Sequence, residues 1–363
     1  MTALKSFNRK HQWTALVFAL ILLSSLGTFT TDVFGQLGPR VIANVPVGGN
    51  PDALAFNPSN KDMYIANGGS GTVSIISGTT VIANVTVGNG PSALAFNPSN
   101  DKMYVINYHS GTVSIIEDET VVATVPVGNQ PERIAFNPSN NDMYVVNYGS
   151  GTVSVISDTT VVANVTVGNT PEAIVFNPSN NDMYVANTSS NTISVISGTT
   201  VIANVAGSFY GPRALGFNPS NNDVYLKDYT DTAYVISGTT LVAKISLPLS
   251  GCCLEGWTFN PFYNYMYLAI LPAENIYVIS GTTLVGIVNL YSEFGTFQLA
   301  FNPSNNNMYT ANPHGNSVSV ISGTIKTATI PVGTFPMAIA FNPSNNDIYV
   351  TNAQSNTVSV ISG

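Results

Sequence analysis

Between Ala93 and Gly128 the apolar positions gather into four short runs, ALAFNP, KMYVIN, TVSIIE and VVATVPVG, each closed by Asn, Pro, Ser, Gly, Asp or Thr. The runs are rich in Val, Ile, Tyr and Phe, and no apolar stripe of helical period survives the Pro and Gly punctuation. The pattern therefore predicts four β-strands per unit, of two kinds. Met143 to Val146 reads MYVV with no polar alternate, as expected of a strand covered on both faces. From Val161 to Val167 the pattern alternates, with Val161, Ala163, Val165 and Val167 on one face and Val162, Asn164 and Thr166 on the other. Such a strand suits an outer edge where polar groups meet water.

The unit recurs along the chain. FNPSN or a close relative begins at Phe56, Phe96, Phe136, Phe176, Phe217, Phe259, Phe301 and Phe341, in steps of 40, 40, 40, 41, 42, 42 and 40 residues. Four antiparallel strands in about 40 residues is the arithmetic of a β-propeller blade; β-helices and leucine-rich repeats have shorter periods. The expected fold is all-β. Its repeats open with a lone strand, VIANVPVG at Val41 to Gly48, and the last repeat reaches Gly363 with only three. Pairing the lone strand with those three completes eight blades and covers every edge. A seven-bladed ring with an irregular eighth unit is the alternative.

The second strand of the last repeat reads Tyr349, Val350, Thr351, Asn352, the tetrapeptide that names the YVTN family of propeller repeats. With the FNPSNN turn, the DMYVAN strand and the VSVISG strand, the chain from Val41 to Gly363 resembles YVTN repeats of archaeal surface-layer proteins. The resemblance implies a propeller at a cell surface and carries no catalytic motif, since propellers host unrelated functions. Known members of the family are seven-bladed where this chain counts eight, and the repeats from about Val205 to Ala300 depart from the consensus.

Residues 1–35 lie outside the repeat: Lys5, Arg9, Lys10 and His11 precede the apolar run Trp13 to Leu23, followed by small and polar residues. This reads as a secretory signal, with cleavage after Val33 and Gly35 and before Gln36, and with 36–40 a short linker. The apolar run is shorter than the roughly 20 residues of a spanning helix, which favours the signal over its alternative, an uncleaved membrane anchor. No Cys lies near this site, which argues against a lipid-anchored lipoprotein. Export places the chain outside the cell or on its surface.

Beyond residue 35 the chain carries 8 basic and 18 acidic residues, a formal charge of -10. Clustered Lys and Arg, the footprint of a phosphate-binding protein, are absent, so nucleic acid is not the expected partner. Charged residues make up only 8% of the chain, with polarity supplied by Asn, Ser and Thr. Glycosylation sequons stand at Asn84, Asn164 and Asn187.

The strand order of a blade puts its connections on two faces of the ring. The turns NPSNND and SGTT recur almost unchanged on one face and read as turn chemistry alone. On the other, the link between second and third strands varies as GGSG, YHSG, YGSG, TSSN, YTDT, PHGN and AQSN. Variable loops on a constant scaffold are where binding residues usually reside. The loops leading into three blades lengthen there, at Ala206 to Arg213, Ser246 to Gly256 and Asn289 to Phe297. They supply Phe209, Tyr210, Arg213, Glu255, Tyr291, Glu293 and Phe294, joined on that face by Tyr229, Tyr108 and Tyr148. Aromatic and Arg side chains are effective anchors. Glu132, Arg133, Glu172 and Arg213 start first strands and should stand at the channel mouth.

Cys252 and Cys253 are the only cysteines. A bond between neighbours is strained, because their Cα atoms lie about 3.8 Å apart, below the usual disulfide range. Packed thiols, a strained disulfide and metal ligation all stay open. The Asn ending each second strand, as in Asn67, Asn107, Asn147, Asn187, Asn312 and Asn352, reads as a turn cap. No GxSxG, phosphate-cradling glycine loop, HExxH or EF-hand spacing occurs, and no cofactor is implied.

The leading expectation is an exported, non-enzymatic eight-bladed propeller that binds a cell-surface protein or glycan through the variable face, with the Val205 to Ala300 sector contributing most. The second is an enzyme of lyase or lactonase type at the channel mouth, favoured if Glu132, Glu172 and Arg213 converge in a pocket. The third is a metal or redox site at Cys252 and Cys253.

Overall fold

The computed structural model describes residues 38–248, 253–271, 275–290 and 298–363, with side chains described at all of these except 253–255 and 271. Residues 1–35, read above as a secretory signal, lie outside them. From Val41 onward the chain forms a compact unit of eight four-stranded antiparallel sheets in a ring, a β-propeller with no helix among the described residues. Seven blades are continuous, at 51–86, 91–126, 131–166, 171–205, 214–246, 253–289 and 299–331. The eighth joins Pro336–Asn342, Asp347–Asn352 and Thr357–Ser362 to Arg40–Pro46, in that order from the channel outward. Eight blades, not seven, close the ring. The closing strand is held by Ser359 Oγ donating to Asn44 Oδ1 at 2.7 Å and by Val47 N donating to Asn356 O at 3.0 Å.

The two strand types behave as their patterns require. Met143, Tyr144, Val145 and Val146 are fully buried, whereas Thr160–Thr166 alternates between covered and exposed positions. The core consists of layers between neighbouring blades. In one of them Tyr144, Val146, Val153 and Val155 of blade 3 pack against Met183, Val185 and Ile196 of blade 4. No blade buries its own face alone, so stability resides in the interfaces between repeats.

The repeated tyrosine of the second strand fastens seven of the eight interfaces between blades. Tyr64, Tyr104, Tyr144, Tyr184, Tyr225 and Tyr267 are buried, and each hydroxyl donates across the gap to a turn carbonyl of the next blade, at 2.6 to 2.8 Å. Tyr349 makes the same bond from blade 8 to Gly78 of blade 1 at 2.7 Å, across the point of closure. Burial pushes these phenols above their ordinary range, so they stay neutral donors.

The constant face explains its own constancy. In the FNPSN turns Asn97 Oδ1 accepts Ser99 N at 2.9 Å, closing the local turn, while its Nδ2 donates to Asn141 O of the next blade at 3.1 Å. Asn177, Asn260 and Asn342 reach the following blade in the same way. The last turn residue has a positive φ, 64° at Asn141 and 63° at Asn181, a conformation Asn tolerates better than most residues. That face is built of turn and interface bonds.

Candidate functional site at the channel mouth

The first strand of a blade is regular except at one point. In blades 1 to 4 the register with the second strand slips between Pro51 and Ala53, Pro91 and Ala93, Pro131 and Arg133, and Pro171 and Ala173. The skipped residues are Asp52, Ser92, Glu132 and Glu172. A bulge bends the strand and re-aims one side chain. Here all four line a single open cavity of about 710 Å³. Arg213 follows Pro212 at the matching place in blade 5 and lines the same cavity. Glu255 is skipped likewise between Leu254 and Gly256 in blade 6. Residues just before these prolines carry strain: φ is positive at Asn50, Gln130 and Thr170, and likewise at Phe335 before Pro336 of blade 8, where a residue preceding proline prefers extended backbone.

Glu172 and Arg213 form an ion pair across two blades. The guanidinium also donates to Tyr229 Oη at 3.0 Å and lies 5.7 Å from the centroid of that ring. The other two acids are not ion-paired among the described residues. Burial pushes the Asp52 carboxyl up to about 6, although Asn50 Nδ2 donates to it at 2.6 Å. Burial likewise raises Glu132, with Arg133 opposing and Glu172 adding to the shift. Tyr108, His109 and Tyr148 form the outer wall, with the rings of Tyr108 and His109 edge to face at 5.2 Å. Two carboxyls raised by burial, an oriented guanidinium and phenolic edges can bind a polar ligand or exchange a proton.

A second compartment of about 410 Å³ adjoins the first and shares Tyr148 and Glu172 with it. Its wall includes Thr170, Ser189, Asn191, Tyr210 and Tyr229. The polar side chains are fixed: Thr170 Oγ1 donates to Ser189 Oγ at 2.6 Å, and Asn191 Oδ1 accepts Gly211 N at 2.7 Å. A smaller space of about 240 Å³ is lined by Glu132, Glu172 and Arg213 together with Ala173, Ile174 and Leu215.

Glu132, Arg133, Glu172, Arg213, Tyr108 and Tyr148 thus come together, and Tyr210 and Tyr229 stand beside them. Phe209 does not join them. It is 5% exposed and packs edge to face on Tyr234 at 5.0 Å, a core residue of the blade 4 and 5 interface. Tyr291, Glu293, Phe294 and Cys252 lie outside the described residues, as do the side chains of Glu255 and Cys253. Asn84 and Asn164 are exposed on outer strands. Asn187 is fully buried, and its Nδ2 donates to Thr192 and Ser194 at 3.2 and 2.9 Å, which leaves no room for a glycan on the folded blade. Asn67, Asn107, Asn147 and Asn352 use the same latch between second and third strands, while their backbone carbonyls or neighbours close the turn.

The residues missed from the sequence are Asp52, Ser92, His109 and Asn50. A signal was present, because Asp52 and Ser92 follow the same repeat proline as Glu132 and Glu172. No group of three or more His, Cys, Asp or Glu among the described residues is placed to hold a metal ion.

No family model matches the chain, and no curated protein sequence matches it. Solved structures do. The C-terminal WD40 domain of Sif2 superposes with a TM-score of 0.72 at 12% identity, covering 90% of this chain and 98% of that one. Hydrazine synthase of Kuenenia stuttgartiensis gives 0.62 at 15% identity over 90% and 98%. A catalytically inactive virginiamycin B lyase from Staphylococcus aureus, with quinupristin, gives 0.63 at 12% identity over 75% and 94%. At these identities the likeness is one of fold, shared by proteins of unrelated activity.

Proposed function

We propose that the chain is an exported surface-recognition module of the YVTN type, which binds a protein or glycan of the cell surface at the channel mouth without catalysing a reaction. One observation carries this reading: the re-aimed residue of each of blades 1 to 4, Asp52, Ser92, Glu132 and Glu172, lines one open cavity on an otherwise repeated scaffold. A repeat that keeps its turns and interfaces but varies the residue facing the cavity has the form of a binding surface. Surface location rests on the signal-like segment and the acidic, Asn-rich composition.

The test is cosedimentation of residues 36–363 with the envelope fraction of the host, beside a Glu132→Gln, Arg213→Ala variant shown to be folded. Binding by the parent and not by the variant supports the reading. Equal binding by both removes the channel mouth from it.

The second reading, an enzyme at the same mouth, is favoured by the convergence of Glu132, Glu172 and Arg213 and by the raised Asp52 carboxyl beside them. A lyase or hydrolase reaction would use Asp52 or Glu132 as general acid or base. Turnover of a trial substrate that Asp52→Asn abolishes, with binding retained, would establish it over the first.

A further inference from the structure

We propose that the ligand is a linear oligosaccharide, seated with one end in the channel-mouth cavity and running outward through the second compartment beneath Tyr210. This deepens the recognition reading above and rests on it.

The two compartments, about 710 and 410 Å³, adjoin and have Tyr148 and Glu172 in both linings, so an occupant of both would be extended across that waist. Each exceeds the roughly 300 Å³ at the lower end of small-ligand sites. Together they suit several linked units better than one compact molecule.

The lining selects the chemistry. Tyr148, Tyr210 and Tyr229 offer flat rings, with Tyr210 and Tyr229 inclined at 65° and their centroids 6.4 Å apart. Tyr210 is 66% exposed, among the most exposed of the large hydrophobic and aromatic side chains. Between the rings stand neutral hydroxyl and amide groups of Thr170, Ser189 and Asn191, held by bonds to one another or to backbone. The Glu172–Arg213 pair adds an acceptor and a planar set of donors at the waist. A sugar ring presents an apolar C–H face and a rim of hydroxyls, which matches flat aromatic surface interleaved with fixed polar groups. Because the polar groups are already ordered, little further side-chain entropy is lost on binding. An acidic polymer would need clustered cations, and a lipid or amphipathic helix a broad apolar floor; neither lines these compartments. An extended peptide would take a free strand edge or a deep apolar anchor pocket, and the lining supplies neither.

The test uses residues 36–363 and defined linear oligosaccharides of one to six units from the malto, cello, manno and chito series, titrated by calorimetry. One series should bind, with affinity rising with length and then levelling as the second compartment fills. Tyr210→Ala, at an exposed position that does not threaten folding, should weaken the longer members roughly 10-fold or more, while leaving the shortest binder unchanged. Affinity independent of length, or binding by no series, overturns the proposal. A parallel arm separates its failure from that of the recognition reading. If the host envelope still binds after periodate oxidation of its glycans but not after protease treatment, recognition stands and the oligosaccharide falls. If untreated envelope fails to bind, the recognition reading falls with it.

Discussion

Asp52, Ser92, Glu132, Glu172 and Arg213 show how one residue per repeat can carry individuality while its neighbours carry structure. Asp52 is the most informative of them. Its carboxyl is raised from 3.8 to about 6 by burial, so the folded protein holds a proton more tightly than the unfolded chain. The contribution to stability is therefore full below the unfolded value, near pH 4, and is lost as pH rises through about 6. Asp52→Asn, which removes this titration, should raise the melting temperature at pH 8 and change it little at pH 4. Thermal unfolding at the two pH values measures the difference. A second residue-scale expectation concerns Gly211, where φ is 64° and an added Cβ would clash with the ring of Tyr229. Gly211→Ala should lower stability and displace Tyr229 from Arg213, seen as a lower melting temperature together with weakened binding. Glu132, Glu172 and Arg213 were legible in the sequence because a charge after a repeat proline departs from the apolar pattern. Asp52 carried the same signal after Pro51, but PDA also reads as ordinary turn chemistry, and only the bulge separates the two readings. Phe209 was misread for the opposite reason. An aromatic in a lengthened loop can face solvent or core, and only the packing on Tyr234 decides it.

At the scale of the strand and turn, the sequence already held the architecture: apolar runs gave the strands, and NPSNND gave the turns. What it did not show was why tyrosine recurs in the second strand. The structure assigns it to the next blade, through a buried hydroxyl and a turn carbonyl such as that of Gly198. Tyr144→Phe keeps the ring and its packing but leaves that carbonyl with one partner fewer. A loss of about 1–2 kcal/mol is expected in chemical denaturation, with no change in the denaturant slope. Tyr144→Ala should be far worse, because it also opens a cavity between two blades. A conservative substitution as damaging as the truncation would show that the bond, and not the packing, holds the interface.

For the whole molecule, closure is the feature on which the rest depends. The eighth blade borrows Arg40–Pro46 from the start of the repeats, and the count of strands in the sequence was enough to foresee it. Without that strand, Thr357–Ser362 would present an unpaired edge, a template for association. A chain starting at residue 49 should elute as larger assemblies than residues 36–363 in size-exclusion chromatography with light scattering, and adding a peptide of residues 40–48 should restore the parent's elution. Closure also sets the site, since it brings residues from blades 1 to 5 around one cavity. The central claim is that this cavity, and not the outer rim, recognises the ligand. The most direct measurement is envelope cosedimentation of residues 36–363 by three folded proteins: the parent, Glu132→Gln with Arg213→Ala, and a rim variant changed at the exposed Val122 and Val162 to Thr. The account predicts binding by the parent and the rim variant and its loss in the mouth variant. Binding that survives the mouth changes and vanishes with the rim changes would contradict it.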